Sequence, residues 1–159
     1  MRHLPLLILL AGMSMFSACS GTKSSVAKAS NAGIKFTHEK QFERVLEKAK
    51  AENKLVFLDF YADWCTPCKM MDKEVFSDKA IGDFFNKNFI NIKVDGEKDN
   101  GPDLSAILGV RAFPTFIFLD DIGRIVEKRE GSLWHEDLMN MAQNALSHKE
   151  SMTYIDTLQ

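Results

Sequence analysis

The sequence predicts an α/β fold: a central mixed β-sheet covered by helices on both faces. Three observations carry this. The run "KLVFLDFYA" (Lys54 to Ala62) is nearly continuously apolar, as a strand is when it is buried on both faces at the centre of an α/β sheet. Helical and strand periodicities interleave along the chain instead of segregating. Near the end, "PTFIFLD" (Pro114 to Asp120) and "RIVEKRE" (Arg124 to Glu130) are strands joined by a short turn through Asp121 and Gly123, an antiparallel hairpin that closes the sheet.

Element by element, the folded unit starts near Ile34. Thr37 is the expected N-cap of a first helix, in which Phe42, Val45, Leu46 and Ala49 fall at i, i+3, i+4 and i+7. After the Lys54–Ala62 strand, Pro67 suits the first turn of a second helix, expected to run through Lys69–Lys73. Ser77 is the expected cap of a third, with Ile81, Phe84 and Phe85 on its apolar face. "FINIKVD" (Phe89 to Asp95) alternates as a strand does. The turn-rich "GEKDNGP" (Gly96 to Pro102) leads to a short helix over Asp103–Leu108, ended by Gly109. A last helix turns Leu138, Met141, Ala142, Ala145 and Leu146 inward. The order reads β, α, β, α, α, β, short α, β, β, α, with a leading β ahead of the Phe42 helix. The domain is expected over residues 34–148, followed by a polar, frayed tail over 149–159.

The bulk numbers fit one domain. With 159 residues, 45% apolar and 26% charged, the chain can bury a sizeable core. A net charge of −2, with Lys and Arg scattered among Asp and Glu, excludes an electrostatic case for nucleic-acid binding. A monomer is expected.

The N-terminus departs from this average. Arg2 and His3 precede the apolar run "LPLLILLAGMSMF" (Leu4 to Phe16), and small residues follow, the pattern of a secretory signal peptide over residues 1–18. The run falls short of the ~20 apolar residues a membrane span needs. "FSAC" resembles the lipobox of bacterial lipoproteins, in which the cysteine after the cut carries lipid; Phe16 stands where leucine is usual. Lipidation of Cys19 accounts for the odd one of three cysteines. From Cys19 to Gly33 the chain is small and polar, a flexible tether with a reach of roughly 20 Å. The expected location is outside the cytoplasm, in a bacterial periplasm or at the cell surface, on a lipid anchor.

The chemistry centres on "YADWCTPCKMM" (Tyr61 to Met71). Cys65 lies where the buried strand passes into the helix begun by Pro67, and unpaired N–H groups there favour a thiolate. Cys68 is nearly one turn on and faces the same way. The result is an exposed nucleophile with a second thiol in reach: Cys65 attacks a disulfide and Cys68 displaces the product thiol. Other readings exist for such a pair. Zinc needs four ligands, and with no second Cys-x-x-Cys and with His38, His135 and His148 isolated, only two are found. A structural disulfide closing so small a loop restricts the unfolded chain little. Cu(I) suits two soft sulfurs in an exported protein. No cofactor is called for, and the second reading of function is a copper- or partner-binding module without disulfide turnover.

"LVFLDFYADWCTPCKMM", "GVRAFPTFIF" and "REGSL" together resemble the thioredoxin superfamily, above all exported thioredoxin-like domains such as the C-terminal domain of DsbD-type thiol–disulfide transporters. The resemblance covers roughly residues 34–147 and implies a thioredoxin-like fold. By resemblance, Cys65 is the nucleophile and Cys68 the resolving cysteine of a redox-active disulfide. Trp64 flanks the site, with Thr66 and Pro67 between the cysteines. Phe113 and Pro114 match the loop of the family's cis-proline, which exposes backbone to an extended substrate and keeps metals off the thiols. Gly131 matches a glycine near the site. Asp59 matches the family's buried acid, and desolvation in an apolar strand is expected to raise its pKa so that it relays a proton for Cys68.

Two departures stand out. Thr66-Pro67 replaces the usual Gly-Pro, and Asn91 is expected to stand where relatives often carry a basic residue near the acid. The expected activity is reduction of protein disulfides outside the cytoplasm, with a membrane thiol transporter as electron donor.

Overall fold

A computed structural model describes residues 33–156. The signal peptide read at 1–18, Cys19 and the tether up to residue 32 lie outside the described residues. The elements are α1 (Phe42–Glu52), β1 (Leu55–Tyr61), α2 (Thr66–Met70), a π-helical turn (Met71–Val75), α3 (Lys79–Asn88), β2 (Phe89–Asp95), α4 (Gly101–Ile107), β3 (Thr115–Leu119), β4 (Ile125–Glu130) and α5 (His135–Asp156).

The strands form one mixed sheet in the order β2-β1-β3-β4, with β1 parallel to β2 and antiparallel to β3, and β3 antiparallel to β4. Its position between two strands and two helical layers explains why β1 is apolar at almost every residue. Leu55 and Phe57 face α3, α5 and the π-helical turn, packing with Phe85, Phe116, Phe118 and Leu138. Val56, Leu58 and Phe60 face α1 and α4 and pack with Val45, Ala49 and Leu104. Phe57 is the hub of the first layer, with ring centroids 4.9 Å from both Phe85 and Phe118. The alternation leaves one polar position on that face, Asp59.

Local expectations need four corrections. The leading β is only a single parallel bridge, Thr37 to Ile92. Thr37 therefore does not cap α1, whose N-cap position is Gln41, without a side-chain bond. Asp78, not Ser77, caps α3: its carboxylate accepts from Ile81 N–H at 2.9 Å, while Ser77 Oγ donates to the Lys73 carbonyl. Finally, α5 continues past His148 to Asp156, since the sequence there holds no proline or glycine to stop it.

The described chain begins against α3. Gly33 crosses Gly82 so closely that a Cβ on Gly82 would sit 2.4 Å from the Gly33 carbonyl carbon. Asn86 pins the crossing, donating to Gly33 O at 3.1 Å and accepting from Lys35 N–H at 2.8 Å.

Candidate functional site

The chain leaves β1 at Tyr61 and turns sharply, Cys65 N–H donating to Ala62 O at 3.0 Å. Cys65 is the N-cap of α2 and Pro67 lies in its first turn. Cys68 N–H donates to Cys65 Sγ at 3.1 Å, so the sulfur occupies the acceptor position that a Ser or Asp side chain takes at other caps. The two cysteines form a disulfide with their Cα atoms 5.3 Å apart.

The expectation of an exposed sulfur pair is corrected. Cys65 is 1% exposed and Cys68 4%, packed with Ala62 and against Tyr61 and Phe113. The turn folds Cys65 back onto Ala62, whereas Thr66 and Pro67 remain at the surface.

Asp59 is 1% exposed on the face of β1 that carries the π-helical turn following α2. One carboxylate oxygen has no hydrogen-bond partner, and the other lies 3.4 Å from Lys93 Nζ. Burial pushes the Asp59 carboxyl up from 3.8 to about 7, and the Lys93 ammonium only partly opposes it. Lys93 sits directly opposite Asp59 in the β1–β2 register and also pairs with Asp72, on the π-helical turn. Rings of Tyr61, Phe36 and Phe76 surround its ammonium with centroids 5.2, 5.3 and 5.6 Å away. A basic residue therefore does stand beside the buried acid. It is Lys93 and not position 91; Asn91 pairs with Phe57 and donates to Asn86.

Two further loops complete the surface. The Phe113–Pro114 peptide bond is cis, as the resemblance implied, and Pro114 is buried. Pro114 O accepts from Gly131 N–H at 2.8 Å, which sets Gly131 beside it; its φ of +90° favours glycine, although no atom lies within 4 Å of a Cβ built there. Trp64 is 66% exposed and meets Phe113 edge-to-face, with centroids 6.1 Å apart. The disulfide, Trp64 and Phe113 thus lie together, with Gly131 bonded to Pro114, whereas Asp59 lies further back on β1 beside Lys93.

Comparison with known proteins agrees with this geometry. The family model Thioredox_DsbH, described as a protein of unknown function (DUF255), matches residues 26–113. Thioredoxin H4 of Arabidopsis thaliana is 40% identical over 87 residues, which are 55% of this chain and 68% of that protein. The chain belongs to the thioredoxin superfamily. The thiol:disulfide interchange protein DsbD of Haemophilus influenzae is 36% identical over 104 residues, 62% of this chain but 17% of that much longer protein. A solution structure of a candidate disulphide-isomerase from Bacteroides thetaiotaomicron superposes with a TM-score of 0.65 at 36% identity, covering 72% of this chain and 94% of that one. A Cys-x-x-Cys disulfide in this fold and family makes the protein a thiol–disulfide oxidoreductase.

For this thioredoxin-superfamily site, sequence reasoning missed Lys93 and the loop Gly96–Lys98. Trp64 Nε1 donates to Glu97 Oε1 at 3.0 Å, and Lys98 pairs with both Asp63 and Asp95, which hold its ammonium charged and raise its pKa. The available signal was "GEK" inside a loop already marked as turn-rich; nothing local connects it to Trp64, which precedes Glu97 by 33 residues. Among the described residues no helix is long and apolar enough to cross a membrane.

Proposed function

We propose that the protein is an exported, lipid-anchored reductase of protein disulfides. The observation that carries the disulfide-exchange chemistry is Cys65 Sγ held at the start of α2 by the Cys68 N–H, with the buried Asp59, titrating at about 7, on the strand that leads into it. In the dithiol form the same N–H stabilises a Cys65 thiolate. That thiolate attacks a substrate disulfide; the substrate S–S bond breaks, a Cys65–substrate bond forms, and the departing sulfur takes a proton. Cys68 then attacks Cys65 Sγ, giving up its proton to Asp59. The Cys65–Cys68 disulfide forms, the Cys65–substrate bond breaks, and the second substrate sulfur leaves as a thiol with the proton that Asp59 had taken. Two electrons pass to the substrate, and a dithiol of a membrane thiol transporter returns them. Trp64, Thr66, Pro67, Phe113, Pro114 and Gly131 receive the extended segment around the substrate cysteine.

Export rests on the signal-like residues 1–18, and anchoring on Cys19 with the tether to Gly33. Relatives named for thiol:disulfide interchange support the choice of disulfides as substrates. Cys68→Ser is expected to accumulate mixed disulfides through Cys65 with extracytoplasmic proteins, identified after acid trapping. Cys65→Ser is expected to abolish insulin reduction, and a fully active Cys65→Ser variant overturns the mechanism. Cys19→Ser is expected to move the protein out of the membrane fraction; an unchanged distribution overturns the anchor.

A further inference from the structure

Three consecutive residues after β2 each hold a different part of the site. Gly96 N–H donates to Tyr61 O at 2.8 Å, and the Phe113 ring lies so close over Gly96 that a Cβ there would be 2.3 Å from Phe113 Cζ. Glu97 accepts from the Trp64 indole at 3.0 Å. Lys98 bridges Asp63, the residue before Trp64, to Asp95 at the end of β2. Trp64 and Phe113 come from two separate loops, and residues 96–98 touch both.

We propose that Gly96, Glu97 and Lys98 are positioning residues that fix Trp64 and Phe113 as one aromatic wall. This wall selects polypeptide disulfides carrying an apolar side chain beside the cysteine over small disulfides. The inference rests on the proposed reductase activity and deepens it. An indole as exposed as that of Trp64 loses rotamer entropy each time a substrate docks on it, and an indole whose N–H is already held loses less. Gly96 acts sterically: without a side chain it lets the ring of Phe113 lie down to meet Trp64 at an interplanar angle of 64°. A small disulfide reaches the sulfur with little of the wall, whereas a polypeptide segment lies along it.

The test compares enzyme-dependent reduction of insulin and of hydroxyethyl disulfide, with dithiothreitol as the electron source. Glu97→Leu is expected to raise KM for insulin about fivefold with kcat within twofold, as loss of one ordinary hydrogen bond at an exposed position implies. Glu97→Gln keeps an acceptor for the indole and is expected to restore KM. Gly96→Ala, whose Cβ strikes only the far edge of the Phe113 ring, is expected to give the same split by a different route. For both damaging variants the insulin-to-small-disulfide ratio of kcat/KM falls. If both keep the wild-type ratio, or slow both substrates equally, the positioning role is overturned while the reductase reading stands. A wild-type protein that turns over neither substrate removes the reductase reading and this inference together.

Discussion

Replacing Asp59 with asparagine isolates the energetic cost of a buried acid. The folded state holds this carboxyl at about 7 against an ordinary value of 3.8, mainly through desolvation. Between those two values the folded protein keeps a proton that the unfolded chain has released, so stability falls as pH rises. At 1.36 kcal/mol per pH unit, the interval of roughly 3 units corresponds to about 4 kcal/mol lost between pH 4 and pH 7. The asparagine side chain of the variant has no proton to lose. Lys93 is left without Asp59 but keeps Asp72. The assay is urea unfolding of the oxidised wild type and of Asp59→Asn, followed by circular dichroism at several pH values from 4 to 8. The titrating groups outside the Asp59–Lys93–Asp72 cluster are common to both proteins and cancel in the difference. The variant's advantage is expected to grow with pH by about 4 kcal/mol and to flatten above pH 7. A difference that moves by less than about 1 kcal/mol across that range refutes the account of Asp59 as a costly desolvated acid.

Other consequences are as direct. Asp59→Asn is expected to slow insulin reduction by at least about tenfold near neutral pH and to remove an inflection near pH 7 from the rate profile. Phe57→Ala empties the hub of the aromatic layer and is expected to cost about 3–5 kcal/mol in thermal or urea unfolding. Asp78→Ala removes the cap of α3 and is expected to cost about 1 kcal/mol, more than Ser77→Ala, whose hydroxyl bonds only the Lys73 carbonyl; the reverse order would contradict the assignment.

Lys93 shows how far the sequence could be read and why it stopped. Asn91 and Lys93 lie two apart on one strand, so alternation assigns both to the same face and cannot say which one lies opposite Asp59. That is decided by the pairing of β1 with β2, which places Asp59 against Lys93 and Phe57 against Asn91. Capping was misread for a related reason. Thr37, Ser77 and Asp78 are all competent caps by residue type, and only the path of the backbone decides whose oxygen meets a free N–H.

The sequence by itself determined what depends on neighbours along the chain. It marked β1 as a buried central strand, the hairpin of β3 and β4, the inward faces of α1, α3 and α5, and the Cys65–Cys68 pair at a strand-to-helix junction. Periodicity and residue chemistry suffice for those. The tertiary structure alone decided what depends on distant segments meeting: the burial of both sulfurs against Phe113, the partnership of Asp59 with Lys93, and the hold of Gly96–Lys98 on Trp64 and Phe113. Trp64 and Glu97, for one, are 33 positions apart, and no local pattern carries the register that brings such residues together.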